Sequence, residues 1–192
     1  MKLSSIRIKN HSRIQDFAVE VRRHAVIVGA NNVGKTSVLR LLNLVLGTST
    51  AGLYQALSME DLRDKEQPLV VELVLTDFTE AERPFFHQEI TVGEDGVAES
   101  LAIQLVCEPD PSDADAVLIR RWFPESGHER TPTREQIATF GWRYMRSNRA
   151  DSTAMLNGPD SAVRTLLDAT DLGKSRESLV QLLKDFNEQL GG

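Results

Sequence analysis

Gly29, Gly34, Lys35 and Thr36 stand at the fixed positions of the string GANNVGKT, residues 29–36, with Ser37 directly after it. This is the GxxxxGK[ST] spacing, which suits the turning of several backbone N–H groups inward onto a phosphate. Glycines at both ends permit the backbone angles and the close approach. Lys35 adds a mobile point charge for the β- and γ-phosphates, Thr36 a hydroxyl for Mg²⁺, and Ser37 a donor for the α-phosphate. Ala30, Asn31, Asn32 and Val33 complete the expected binding turn. A helix starting at Thr36 aims the positive end of its dipole into the same space, so charge, dipole and N–H donors act on one anion. A nucleoside triphosphate with Mg²⁺ is the expected ligand.

The flanking elements have to hold that turn. HAVIVG (24–29) is an uninterrupted apolar run and predicts a strand buried on both faces of a central sheet. The helix expected over Thr36–Leu46 is apolar on almost every side, and Gly47 is placed to end it. Upstream, Ile6 and Ile8 alternate with Arg7 and Lys9, and Phe17, Val19 and Val21 alternate in phase, predicting an antiparallel pair across NHSRIQ. Downstream, PLVVELVLTDF, QEITVGEDGVAESLAIQLVC and AVLIRRWF read as strands joined by turns, GEDG (93–96) being a hairpin signal. With no helices between them, they imply an antiparallel β-rich lobe over 67–124. EPDPSDAD (108–115) reads as an exposed acidic loop. A helical segment is expected over 131–192: Thr133 with Gln136 forms a capping box, Asp160 caps SAVRTLLDAT, and SRESLVQLLKDFNEQL carries an apolar stripe. These parts, with a nucleotide-binding unit over 1–50, make one α/β domain.

The 192 residues are 41% hydrophobic, enough for a core, and carry a net charge of −6. The charge is uneven: residues 1–50 hold eight Lys/Arg against two Asp/Glu, whereas 51–118 hold three against sixteen. The basic block contains the phosphate turn, a surround that favours a polyanion. A single cysteine, Cys107, excludes an internal disulfide framework and predicts a small buried apolar residue in a reducing, cytoplasmic protein. No apolar run approaches the length needed to span a bilayer, so no membrane partner is expected. The strings DxxG and NKxD, needed to read guanine, do not occur.

MKLSSIRIKN followed by GANNVGKTSVLRLLNLVLG resembles the N-terminal segment of the RecF, SMC and OLD-type ATPases, the ABC-like branch that processes DNA. The double Asn31–Asn32, the TSVLRLL helix and VVELVLTDFTEAE are most similar to the OLD and Gabija nuclease ATPases. The resemblance implies a P-loop fold of the ABC/RecF type, with a central sheet, the P-loop helix, a β-rich lobe and C-terminal helices. It implies ATP and Mg²⁺ as cofactors, ATP hydrolysis, and two heads closing face to face on two nucleotides. DNA is the implied partner, through the full-length protein or another chain. Where the family often reads NFRS this sequence has NHSR (10–13), which leaves Arg13 as a candidate nucleotide contact or a plain exposed arginine.

The second half of a hydrolytic site, a strand ending in Asp-Glu with a signature loop and a switch His, is not found in the sequence. Asp77, ending LVLTD, is the nearest stand-in, but Phe78 follows where the catalytic Glu would be, and a turn aspartate is the simpler reading. Asp168, in a helix-like stretch, is weaker. Asp113 and Asp115 imitate a nuclease DxD yet fall in the acidic loop, and the four histidines (11, 24, 87, 128) lack metal-ligand spacing. Arg143, Arg146 and Arg149 with Trp142 and Tyr144 could meet nucleic acid or form a strand with arginines in water. The expectation is an ATP-binding N-terminal part that is catalytically incomplete alone. A complete phosphotransferase using Asp77 and a nucleotide-gated binding module are the rivals.

Overall fold

The computed structural model describes residues 1–22, 24–31, 33–93 and 99–144. The expected helices around Asp160–Thr170 and 175–190, together with Asp168, Arg146 and Arg149, lie outside the described residues. The fold is mixed α/β with a mostly antiparallel sheet. Among the described residues the strands run β1 (Lys2–Lys9), β2 (Phe17–Glu20), β3 (Leu69–Thr76), β4 (Thr91–Val92), β5 (Glu99–Asp110) and β6 (Asp113–Trp122), in the order β2-β1-β3-β5, with β4 and β6 sharing the far side of β5. Every pairing among them is antiparallel.

Period-two alternation turns one face of this sheet into the core floor. Register aligns Ile6, Leu73 and Ile103 in one row, and Ile8, Val71, Leu105 and Arg121 in the next. All the aliphatic members of these rows are buried. The helix α1 (Lys35–Leu46) packs into the same core through Val38, Leu41, Leu42, Leu44, Val45 and Leu46. Its C-terminal cap is Gly47, whose N–H donates to the Asn43 carbonyl at 2.9 Å. Leu39 is the exception to the expected all-round burial and faces outward. A second helix, α2 (Thr50–Ala56), is capped by Ser49, and Leu53 anchors it in the core. The capping box predicted at Thr133 opens α3 (Arg134–Thr139), with Gln136 returning its side chain to the Thr133 N–H at 2.9 Å.

Arg121 is the unusual member of its row. It is 3% exposed and has no carboxylate partner among the described residues. One guanidinium nitrogen instead donates to the carbonyls of Leu44 and Val45, each at 3.0 Å, and of Thr48 at 2.6 Å. The first two are orphan acceptors at the end of α1, where a cation is also favoured by the helix dipole, and Thr48 follows just past the Gly47 cap. Burial still lowers its pKa to about 10.

Two further expectations fail. The run Ala25–Val28 is neither a strand nor buried: Val26 is 84% and Val28 85% exposed. Apolar side chains alone do not make a strand; the backbone needs neighbours to bond, and among the described residues none flanks this run. The ladder stops at Val21, whose N–H donates to Ser4 at 2.7 Å. The acidic loop over 108–115 is mostly strand, since β5 continues to Asp110 and β6 begins at Asp113. Pro109 lies beyond the last β3 partner and beside a register shift, a position that tolerates a missing N–H. The turn itself is closed by Asp110, whose carboxylate accepts from the N–H and hydroxyl of Ser112 and is held below the usual carboxylate range by them.

Candidate functional site

The phosphate-type turn is built against the end of β1. Gly34 caps α1 with φ at +88°, a left-handed conformation, and a Cβ there would stand 2.7 Å from the Arg13 carbonyl oxygen. Only glycine meets both demands. Lys35 opens the helix and folds back over the turn, its Nζ donating to the carbonyls of Gly29 at 2.8 Å and Ala30 at 2.5 Å. Thr36 is exposed and Ser37 half-buried at the first turn of α1. Arg13, Asn31, Gly34, Lys35, Thr36 and Ser37 line one pocket of about 310 Å³. Among the described residues no carboxylate lines it; two cations, two hydroxyls and a helix N-terminus do. Such a donor set suits a phosphate chain, and Mg²⁺ carried in with the phosphates would meet the Thr36 hydroxyl. Of the other predicted residues, Val33 is exposed, and Asn32 lies outside the described residues.

Arg13 therefore sits at the pocket wall. Its guanidinium takes no hydrogen bond or ion pair among the described residues, while its N–H donates to His11 Nδ1 at 2.9 Å. The turn that carries it is braced on several sides. Asn10, with φ at +59°, donates through its amide to the carbonyls of Asp64 at 2.9 Å and Gln67 at 2.7 Å, and its side-chain oxygen accepts from Asp64 N–H at 2.9 Å. Arg63 donates to the carbonyls of His11 and Ile14 and to the Asp16 carboxylate. The Asn10 N–H, followed by Arg63, holds Asp16 below the usual carboxylate range. His11 is 2% exposed, and burial pushes its pKa below the ordinary value. None of these braces was visible in sequence; Ser58 and Asp61 form a capping box in SMED, a readable local signal, but its long-range partners are not encoded locally.

The remaining candidates lie elsewhere. Lys2 pairs with Thr76 and Lys9 with Val70, so Asp77 stands at the opposite end of β1 from Arg13, about 23 Å of strand away. It has φ at +57° and accepts from Lys2 Nζ at 2.9 Å, which keeps its carboxyl below the usual range. It is a turn aspartate, remote from the phosphate pocket. Phe78 is buried in the core. Asp113 and Asp115 open β6, where Asp113 accepts the Asp115 N–H at 3.0 Å. His24 is exposed beside the apolar run. Trp142 is half-buried and donates to Asn43 at 3.2 Å, so this aromatic belongs to the packing around α1, and Arg143 donates to the Trp142 carbonyl at 3.2 Å. No helix among the described residues is long and apolar enough to cross a membrane.

A search for similar curated proteins finds no match. The family profile described as AAA ATPase domain matches residues 1–103, from β1 through the phosphate turn and β3 into β5. That span covers more than half of the chain and contains the whole glycine-lysine turn: the chain belongs to the AAA ATPase domain family.

Proposed function

We propose that this chain is the ATP-binding part of a RecF/OLD-type ATPase that serves DNA processing. The supporting observation is the pocket itself: Gly34 held left-handed against the Arg13 backbone, Lys35 over the turn, and Thr36 and Ser37 at the start of α1. In this reading the backbone N–H groups of Gly29 to Gly34 and the Lys35 ammonium bind the phosphates. Thr36 holds Mg²⁺, which when bound screens phosphate charge. Arg13 faces the same anion from the β1 side. Among the described residues no carboxylate lines the pocket to orient an attacking water, and in this reading turnover by this chain alone is slow. Two heads meeting on two nucleotides, and DNA as the eventual partner, extend the reading through the family resemblance.

The test is calorimetric titration with ATP·Mg²⁺. Lys35→Ala is expected to weaken binding at least tenfold, the scale of one charge-assisted contact. Equal affinity in parent and variant would remove the reading.

A further inference from the structure

The phosphate pocket has two walls from different parts of the chain. One is the turn and the start of α1; the other is the 10–16 connection with Arg13. Something must fix the distance between them, and Asp61 touches both. Its Oδ1 accepts from Arg40 Nη1 at 3.0 Å, and Arg40 lies on α1 five residues after Lys35. Its Oδ2 accepts the Ser58 N–H at 3.1 Å. Its own carbonyl accepts the Ser12 N–H at 2.8 Å, next to Arg13. The Asp61 side chain is 14% exposed, so the ion pair with Arg40 is sheltered from screening on one side. The adjacent Arg63 N–H adds a bond to the Asn10 carbonyl at 3.1 Å.

On the other side of this link lies a second polar cavity of about 270 Å³, lined in part by His11, Arg13, Arg40, Ser58 and Asp61. Arg13 is common to both cavities, and no partner among the described residues fixes its guanidinium. Arg13 also borders a third cavity, of about 930 Å³ beside Ala25–Val28, so a tie that sets its backbone relative to α1 bears on which space its guanidinium serves. We infer that Asp61 is a positioning residue for the nucleotide site: by tying Arg40 of α1 to Ser12, it holds Arg13 opposite Lys35, where both cations act on one triphosphate. This rests on the nucleotide-binding reading above.

The experiment is a double-mutant cycle in the full chain, read by ATP·Mg²⁺ affinity with thermal stability recorded in parallel. Arg13→Ala and Asp61→Ala are each expected to weaken binding about tenfold. The double variant is expected to be no weaker than Arg13→Ala alone, because Asp61 acts through Arg13. A merely structural role for Asp61 would lower stability without that non-additivity in binding. Asp61→Asn, which keeps the acceptor oxygen, is expected to recover affinity to within about threefold of the parent. Arg40→Met removes the same tie from the helix side and is expected to reproduce the Asp61→Ala loss; it decides the matter if Asp61→Ala does not fold. Parent-like binding by Asp61→Ala, or by Arg40→Met in that case, overturns the inference, as do losses that multiply to about a hundredfold in the double variant. If Lys35→Ala abolishes binding while these variants retain it, only this inference falls; if Lys35→Ala binds like the parent, the nucleotide reading falls with it.

Discussion

Leu69–Thr76 and Ala25–Val28 are apolar runs of similar composition, yet one is the middle of the sheet and the other stands in the open. The first has β1 on one side and β5 on the other, and its Leu69, Val71 and Leu73 are fully buried. The second is bonded to no strand among the described residues. The difference teaches that an apolar run records what a segment gains from cover, while its neighbours decide whether it becomes a strand. It also divides the site. Gly34 and α1 are anchored by the packed region, whereas Gly29 and Ala30 are tied through Lys35 to the same rigid base.

That contrast can be broken most directly by truncation. Leu73→Ala is expected to cost about 2–5 kcal/mol in urea unfolding, whereas Val28→Ser is expected to stay within about 0.5 kcal/mol. Comparable losses at the two positions would erase the distinction. A smaller effect sharpens the anchoring of α1: Arg121→Ala removes the donor from two buried carbonyls and one half-buried one and is expected to cost about 3 kcal/mol, with Arg121→Met losing less by keeping the volume. If Arg121→Ala leaves the midpoint unchanged, the clamp contributes nothing. The smallest effect is in pH. His11 titrates below its unfolded value near 6.5, so as pH falls past 6.5 the unfolded chain takes up a proton that the folded chain refuses. Stability therefore declines from about pH 6.5 down through the folded pKa and levels off beneath it. His11→Phe is expected to flatten that slope, and an unchanged slope would assign it to other groups.

Much of the packed region was legible because its signals are local. The alternation of Ile6 and Ile8, the helix after Thr36 and the Thr133 capping box all depend on residues a few positions apart. The misreadings came from long-range context. Prolines and aspartates over 108–115 carry loop chemistry, but Pro109 sits where the sheet has run out of neighbours on one side, so strand geometry prevails. The inward placing of Arg121 is likewise long-range, since it follows from register with Leu105 and not from its neighbours in sequence. In the candidate site, spacing singled out the glycines and Lys35, which the structure brings together in one turn. The braces from Asn10, Asp61 and Arg63 were not legible in that way, because they join positions some fifty residues apart in sequence.

Cys107 sits between Leu69 and Ile119 in one row of the sheet, wholly buried, with burial pushing its thiol up to about 12. Thiolate is the reactive form, so in the closed sheet the sulfur is both inaccessible and protonated at neutral pH. A disulfide reagent can reach it only when β3, β5 and β6 part. Since the sequence holds one cysteine, the rate of modification at that single sulfur counts how often the sheet opens, with no label added to the chain.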